Sequence, residues 1–208
     1  MHIELTELLR CPQDHREEFL VLSTGEMSGR MVRGGVVGCP VCQCEYEIVD
    51  GVVEFAGVVS PEGLAGARGQ AGAGATTRAP APDPQTLQAL LDLSGPGGYV
   101  ALLGDAAHAA VGLAALMGGI HFIAVNPPAG VEELPVLSLL RTDARIPLRP
   151  SVVRAVVVGR EWATPGGCAE ALRVLLRGRR LVIEGEPADV PGARRLAVGQ
   201  GLWVGEKS

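Results

Sequence analysis

The stretch that most constrains this chain is residues 98–128, GYVALLGDAAHAAVGLAALMGGIHFIAVNPP. Residues 99–103 form an apolar run without alternation, the pattern of a strand covered on both faces, and Gly104 breaks it. Residues 106–117 carry small and apolar side chains at helical spacing and end at Gly118 and Gly119; residues 120–125 then resume a strand. Together they predict one β-α-β unit, a parallel strand pair with a right-handed crossover. Units of this kind bind ligands where the first strand passes into its helix. The turn Gly104-Asp105-Ala106-Ala107-His108 is therefore the first place to look for chemistry.

Composition narrows the class. A chain of 208 residues with 47% hydrophobic content can bury a core for one domain plus a small module. The apolar run 109–120 is too short to span a bilayer, which argues against a membrane protein. The opening MHIELTELLRCP holds two glutamates and no long apolar segment, so no signal peptide and a cytoplasmic location are expected. Residues 1–56 set four arginines against ten acids, and aromatics are only 3% of the chain, so nothing here supports a nucleic-acid partner. The nine arginines from Arg141 to Arg180 read as a solvated face.

Two cysteine turns stand in the acidic head, Cys11-Pro12-Gln13-Asp14-His15 and Cys39-Pro40-Val41-Cys42. Thiolates two residues apart in a tight turn can point at one tetrahedral ion, and a second such turn closes the site, which is the pattern of a zinc ribbon. Asp14 stands where the first turn would place its second cysteine, so Asp14, His15 or Cys44 is the candidate fourth ligand beside Cys11, Cys39 and Cys42. A ribbon that has lost its metal and survives on packing is the competing reading. A module of some 50 residues has little core without a staple, which favours zinc. Hairpin strands are expected over 19–23 and 31–37, and residues 45–55 alternate at period two around Asp50-Gly51.

LLRCP, GCPVC and YEIVDGVVEF, spanning roughly residues 5–56, resemble the Trm112-like zinc-ribbon family. That resemblance implies a role beside a methyltransferase, as an activating and stabilising partner. Residues 57–84 are a Gly/Ala/Pro-rich linker by composition, and Asp83-Pro84 sets up the cap and first turn of a helix over 85–93.

From about Gln85 to Glu186 the chain resembles the class I S-adenosylmethionine-dependent methyltransferases. VALLGDAAHAAVGLAAL, HFIAVN, LRTDARIPLRPSVVRAVVV and AEALRVLLRGRRLVIEGE fall in the order and spacing of that family's segments. The fold class this implies is α/β, a small β-rich zinc ribbon over 1–56 followed, after the linker, by a trimmed Rossmann-like domain over 85–208 that closes with a hairpin around Gly199-Gln200-Gly201. The cofactor-binding positions the resemblance carries over are Gly104, Ala106, Asn126 and Asp143. Several depart from the family pattern: Leu102 replaces an acid, Ala106 and His108 replace glycines, and Asn126 replaces the acid that holds the ribose hydroxyls. Only Gly104 and Asp143 are as expected, and an amide at Asn126 hydrogen-bonds without the charge that strengthens the contact.

Two readings follow. In one, the chain is a non-catalytic, methyltransferase-like pseudoenzyme, a binding or structural module working with a protein partner or as a homo-oligomer. In the other, it is an active S-adenosylmethionine-dependent methyltransferase acting on RNA, protein or a small molecule. Glu161 and Trp162, after the strand over 156–158, are where a catalytic base or a stacking residue would stand, although packing explains them as well. Cys168 reads as a buried small residue.

Overall fold

The computed structural model describes residues 1–57, 82–143, 145–187 and 189–208. The linker expected over 57–84 lies, apart from its ends, outside the described residues. The head contributes β1 (Val21–Thr24), β2 (Met27–Ser28), β3 (Met31–Val32), β4 (Gly35–Gly38), β5 (Glu45–Val49) and β6 (Val52–Glu54). The remainder contributes α1 (Pro84–Leu91), β7 (Tyr99–Leu103), α2 (Ala110–Leu116), β8 (His121–Val125), β9 (Leu137–Arg141), β10 (Val153–Val158), α3 (Pro165–Val174), β11 (Leu175–Glu184), β12 (Ala193–Gly199) and β13 (Leu202–Lys207).

The apolar runs that read as doubly covered strands lie at the centre of an α/β sheet. Its parallel core has the order β9-β8-β7-β10-β11, so the chain reverses direction across the sheet between β7 and β10. That reversal is the switch point of a doubly wound fold. β13 adds antiparallel to β11, and β12 pairs with β13 at the outer edge, forming the hairpin expected around residues 199–201. At the other side β6 pairs in parallel with β9, and β5, β4 and β1 follow antiparallel, giving one sheet of eleven strands.

A parallel sheet needs cover on both faces. Val100, Leu102, Phe122, Ala124, Leu139, Ala155, Val157 and Val182 pack against α1 and α2. Ala101, Leu103, Ile123, Val125, Leu140, Val156, Val158 and Ile183 belong to the opposite core, which α3 shares with the head. Among the described residues, the connections from β8 to β9 and from β9 to β10 contain no helix. The head contributes to the cover there instead. Leu5, Leu8 and Leu9, within and after a 3-10 turn at Ile3–Glu7, are buried in the same core as the sheet residues. Backbone bonds from Arg10 N–H to the Pro147 carbonyl (3.0 Å) and from Arg149 N–H to the Leu8 carbonyl (2.9 Å) hold this stretch down. The His2 amide donates to the Ser138 hydroxyl at 2.9 Å, and the Met1 ammonium donates to the carbonyls of Val32 and Gly51.

Local sequence accounts for most boundaries and for two departures. Asp83 caps α1 by accepting from the amides of Gln85 and Thr86, with Pro84 at the first helical position. The single strand expected over 31–37 is divided into β3 and β4. Gly35 takes φ +156°, and a Cβ there would stand 2.4 Å from the Ser23 carbonyl oxygen, so the chain bends at a position that only glycine fits. The helix expected over 106–117 begins as a 3-10 turn at Gly104–Ala109 and becomes α-helical only at Ala110. Its first residue, Gly104, is left-handed (φ +59°), which tightens the turn leaving β7.

The Arg154 side chain donates to the carbonyls of Ser94, Gly95, Pro96 and Gly97, clamping the loop that leads into β7. Arg154→Ala is expected to destabilise the chain by about 1–3 kcal/mol in urea unfolding, because these acceptors lose a charged donor. Arg154→Lys should recover only part of this, since a single ammonium cannot span four carbonyls. Unchanged stability in both variants would show that the loop is held by its backbone alone.

Candidate functional site

Two sites emerge. The first lies between the two cysteine turns of the head. The ligand atoms of Cys11, His15, Cys39 and Cys42 all lie within 4.8 Å of one another. Cys11 Sγ is 3.6 Å from Cys42 Sγ, and Cys39 Sγ is 3.4 Å from His15 Nε2. A tetrahedral ion with metal–sulfur bonds of about 2.3 Å and metal–nitrogen bonds of about 2.0 Å sets such pairs about 3.8 Å and about 3.5 Å apart. The donor set therefore fits a zinc-type ion.

The surroundings favour the same chemistry. His15 Nδ1 lies 2.7 Å from the Arg16 carbonyl, which can only accept, so Nδ1 carries the proton and Nε2 presents its lone pair to the thiols. The Tyr46 hydroxyl lies 2.9 Å from Cys11 Sγ. In the knuckle after β4, Cys39 N–H bonds to the Cys44 carbonyl and Gln43 N–H to the Cys39 carbonyl, with Gln43 left-handed (φ +59°). Burial pushes the Cys11 thiol up to about 12. Burial acts the same way on Cys42, but the Cys44 amide and the neighbouring thiols outweigh it and bring Cys42 down to about 6. Of the candidates for the fourth position, only His15 joins the three cysteines. Asp14 is exposed, and Cys44 is buried outside the group.

The second site is a cleft of about 610 Å3 at the carboxyl ends of the parallel strands, lined by Asn126, Asp143, Arg145, Glu161, Trp162 and Glu170 among others. Of the four expected cofactor positions, the cleft brings together Asn126 and Asp143. Gly104 is buried at the turn, and Ala106, 2% exposed, faces the apolar core behind it. His108 is exposed and does not line the cleft.

Most polar groups here already have partners. The Asn126 amide donates to the Thr142 carbonyl at 2.7 Å and accepts from the Thr142 N–H at 2.8 Å, tying the end of β8 to the residue after β9. Asp143 accepts from the Gly57 N–H at 2.9 Å, and Arg145 pairs with Glu17 of the head at 3.0 Å. Glu170 accepts from Arg173 and from the Ile146 amide. Burial works to raise its carboxyl, but those bonds and the Arg173 charge hold it below the usual glutamate value.

The turn itself is covered. Gly159, just past β10, lets the chain pass close to it: a Cβ there would come 2.7 Å from the Leu103 oxygen and 3.0 Å from the Asp105 nitrogen. A 3-10 turn at Arg160–Trp162 then lays the Glu161 carboxylate over Gly104, where it accepts from the Asp105 N–H. S-adenosylmethionine in the pose implied by the resemblance does not fit as these side chains stand, because a resident carboxylate occupies the glycine turn. Sequence reasoning did not find Arg145, Thr164 or Glu170. Thr164-Pro165 was readable as a helix cap, since Thr164 accepts from the Gly167 amide, but nothing local ties α3 to the cleft.

No family model matches the chain, and no curated protein matches it in sequence. Among solved structures it is similar to the complex between the Haloferax volcanii Trm112 methyltransferase activator and a methyltransferase, with 19% identity, TM-score 0.40, and coverage of 48% of this chain and 50% of that one. A S-adenosylmethionine-dependent methyltransferase from Aquifex aeolicus gives 15% identity and TM-score 0.44, covering 60% of this chain and 88% of that one. A methyltransferase of an antibiotic biosynthesis pathway from Anabaena variabilis gives 20% identity and TM-score 0.41, covering 50% and 45%. The chain thus spans about half the length of two of the three. The fold itself is α/β with a parallel central sheet, and no helix among the described residues is long and apolar enough to cross a membrane.

Proposed function

We propose that this chain is a methyltransferase-like binding or structural module of the cytoplasm, with a metal-holding ribbon over 1–56 joined through 57–84 to a Rossmann-like part over 85–208. In this reading it does not catalyse methyl transfer, and it works with a protein partner or a second copy of itself. Asn126 carries the proposal. At the position where the resemblance calls for a ribose-holding acid, its side chain is spent in both directions on Thr142. A ligand hydroxyl there meets at most the remaining amide hydrogen or lone pair, a neutral contact about half as strong as the one a carboxylate would make. The zinc-type ion belongs to the same proposal, held by Cys11, His15, Cys39 and Cys42.

Calorimetric titration of S-adenosylmethionine and S-adenosylhomocysteine into the metal-loaded chain is expected to give no heat of binding at millimolar ligand. Micromolar binding would overturn the proposal in favour of the active-enzyme reading. The cleft itself favours that second reading, because its volume is ample for a nucleoside-sized ligand and Asp143 lines it.

A further inference from the structure

The Glu161 carboxylate occupies the turn because three features converge. Gly104 has no Cβ, and one built there would stand 1.6 Å from Glu161 Oε1. Gly159 allows the close approach, with its N–H bonded to the Leu103 carbonyl at 2.9 Å. The Asp105 N–H points outward from the turn and takes the carboxylate. Around this contact the chain is at the surface: Glu161 is exposed, Trp162 is half-buried, and both line the cleft. A side chain in that position can swing into solvent without disturbing any buried group.

We propose that Glu161 is an autoinhibitory latch, filling the switch-point turn with the chain's own carboxylate and so excluding a nucleoside-type ligand that the cleft would otherwise admit. It rests on the reading above that the chain as it stands does not bind S-adenosylmethionine. Opening the latch withdraws the carboxylate from Gly104 and from the Asp105 N–H, with the Trp162 ring still beside the turn (Cδ1 3.0 Å from a Cβ built at Gly104), and joins the turn to the cleft beside Asn126 and Asp143. The shape of the obstruction makes a specific demand. Glu161→Ala removes both the bulk and the acceptor, whereas Glu161→Gln keeps the bulk and an amide oxygen that still accepts from Asp105.

The test is calorimetric titration of S-adenosylhomocysteine into the metal-loaded full chain and its Glu161→Ala and Glu161→Gln variants, with thermal melts confirming that all three are folded. Glu161→Ala is expected to bind at least tenfold more tightly than the parent, with Glu161→Gln behaving like the parent. Should Glu161→Ala misfold, Glu161→Ser, which is also too short to reach the turn, takes its place with the same expectation. If none of the proteins binds, the latch is overturned and the non-binding reading stands. If the parent binds as tightly as Glu161→Ala, both fail.

Discussion

A fragment comprising residues 82–208, made without the head, is expected to be insoluble or, where soluble, to lack a cooperative melt and to bind dyes that report exposed apolar surface. Two consequences of the architecture converge on this result. Removing β6 strips the outer ladder of β9, leaving a parallel edge strand with unpaired backbone groups. Removing Leu5, Leu8, Leu9, Val53 and Phe55 opens the core shared with Ile123, Val125, Leu140 and Val156, where no helix lies among the described residues of the connections on either side of β9. Each large aliphatic side chain lost from such a core costs about 2–5 kcal/mol, and the whole stability of a domain is only about 5–15 kcal/mol. A milder form of the same test is Leu9→Ala in the full chain, expected to cost about 2–5 kcal/mol in urea unfolding while leaving a single transition. Supplying residues 1–57 as a separate chain should restore solubility to the fragment. A soluble, monomeric fragment 82–208 with a sharp melt would show instead that the head is an appendage.

The central strands were legible because their information is local. The runs that became β7 and β8 are apolar but for His121, Asp83-Pro84 announces α1, and the glycines of residues 199–201 announce the hairpin of β12 and β13. The joining of head and sheet was not legible. β6 reads as the second arm of an ordinary hairpin around Asp50-Gly51, and nothing in Val52, Val53 or Glu54 says that its free edge will meet Leu139, Leu140 and Arg141 in parallel. Parallel pairing across so many intervening residues is set by packing, which leaves no periodic mark. The cleft divides in the same way. Asn126 and Asp143 are placed there by the resemblance to the methyltransferase family, but the closure of the turn depends on Glu161 meeting Asp105 across 56 residues. The thiol cluster was half legible: cysteine spacing gave the three sulfurs, whereas the choice of His15 over Asp14 depends on how the chain leaves the Cys11 turn.

Cys39→Ser is expected to reduce bound zinc from about one ion per chain to near none, and His15→Ala to weaken zinc retention at least tenfold against a competing chelator, while Asp14→Ala changes neither. The inner face of the head is held by the shared core, but β1 and much of the outward side of β5 face solvent, so an ion in the cluster is expected to add to what holds the cysteine turns together. Chelation should therefore lower the melting temperature of the whole chain, because the Cys11 turn runs directly into Leu8, Leu9 and Arg10, which pack and bond against residues 147–149. The sign of the pH dependence follows from the donors. Binding requires three thiolates and a neutral imidazole, and burial leaves Cys11 as a thiol at neutral pH in the metal-free cluster, so loading releases protons and affinity must fall as the pH falls. Cobalt substitution separates the ligand sets: His15→Cys should move the visible spectrum from that of a three-sulfur, one-nitrogen site to that of a four-sulfur site, whereas Asp14→Cys should leave it in place. If Asp14→Ala loses the ion and His15→Ala keeps it, the ligand assignment is wrong; if the parent purifies without metal from zinc-supplied cells, the cluster is a packed relic.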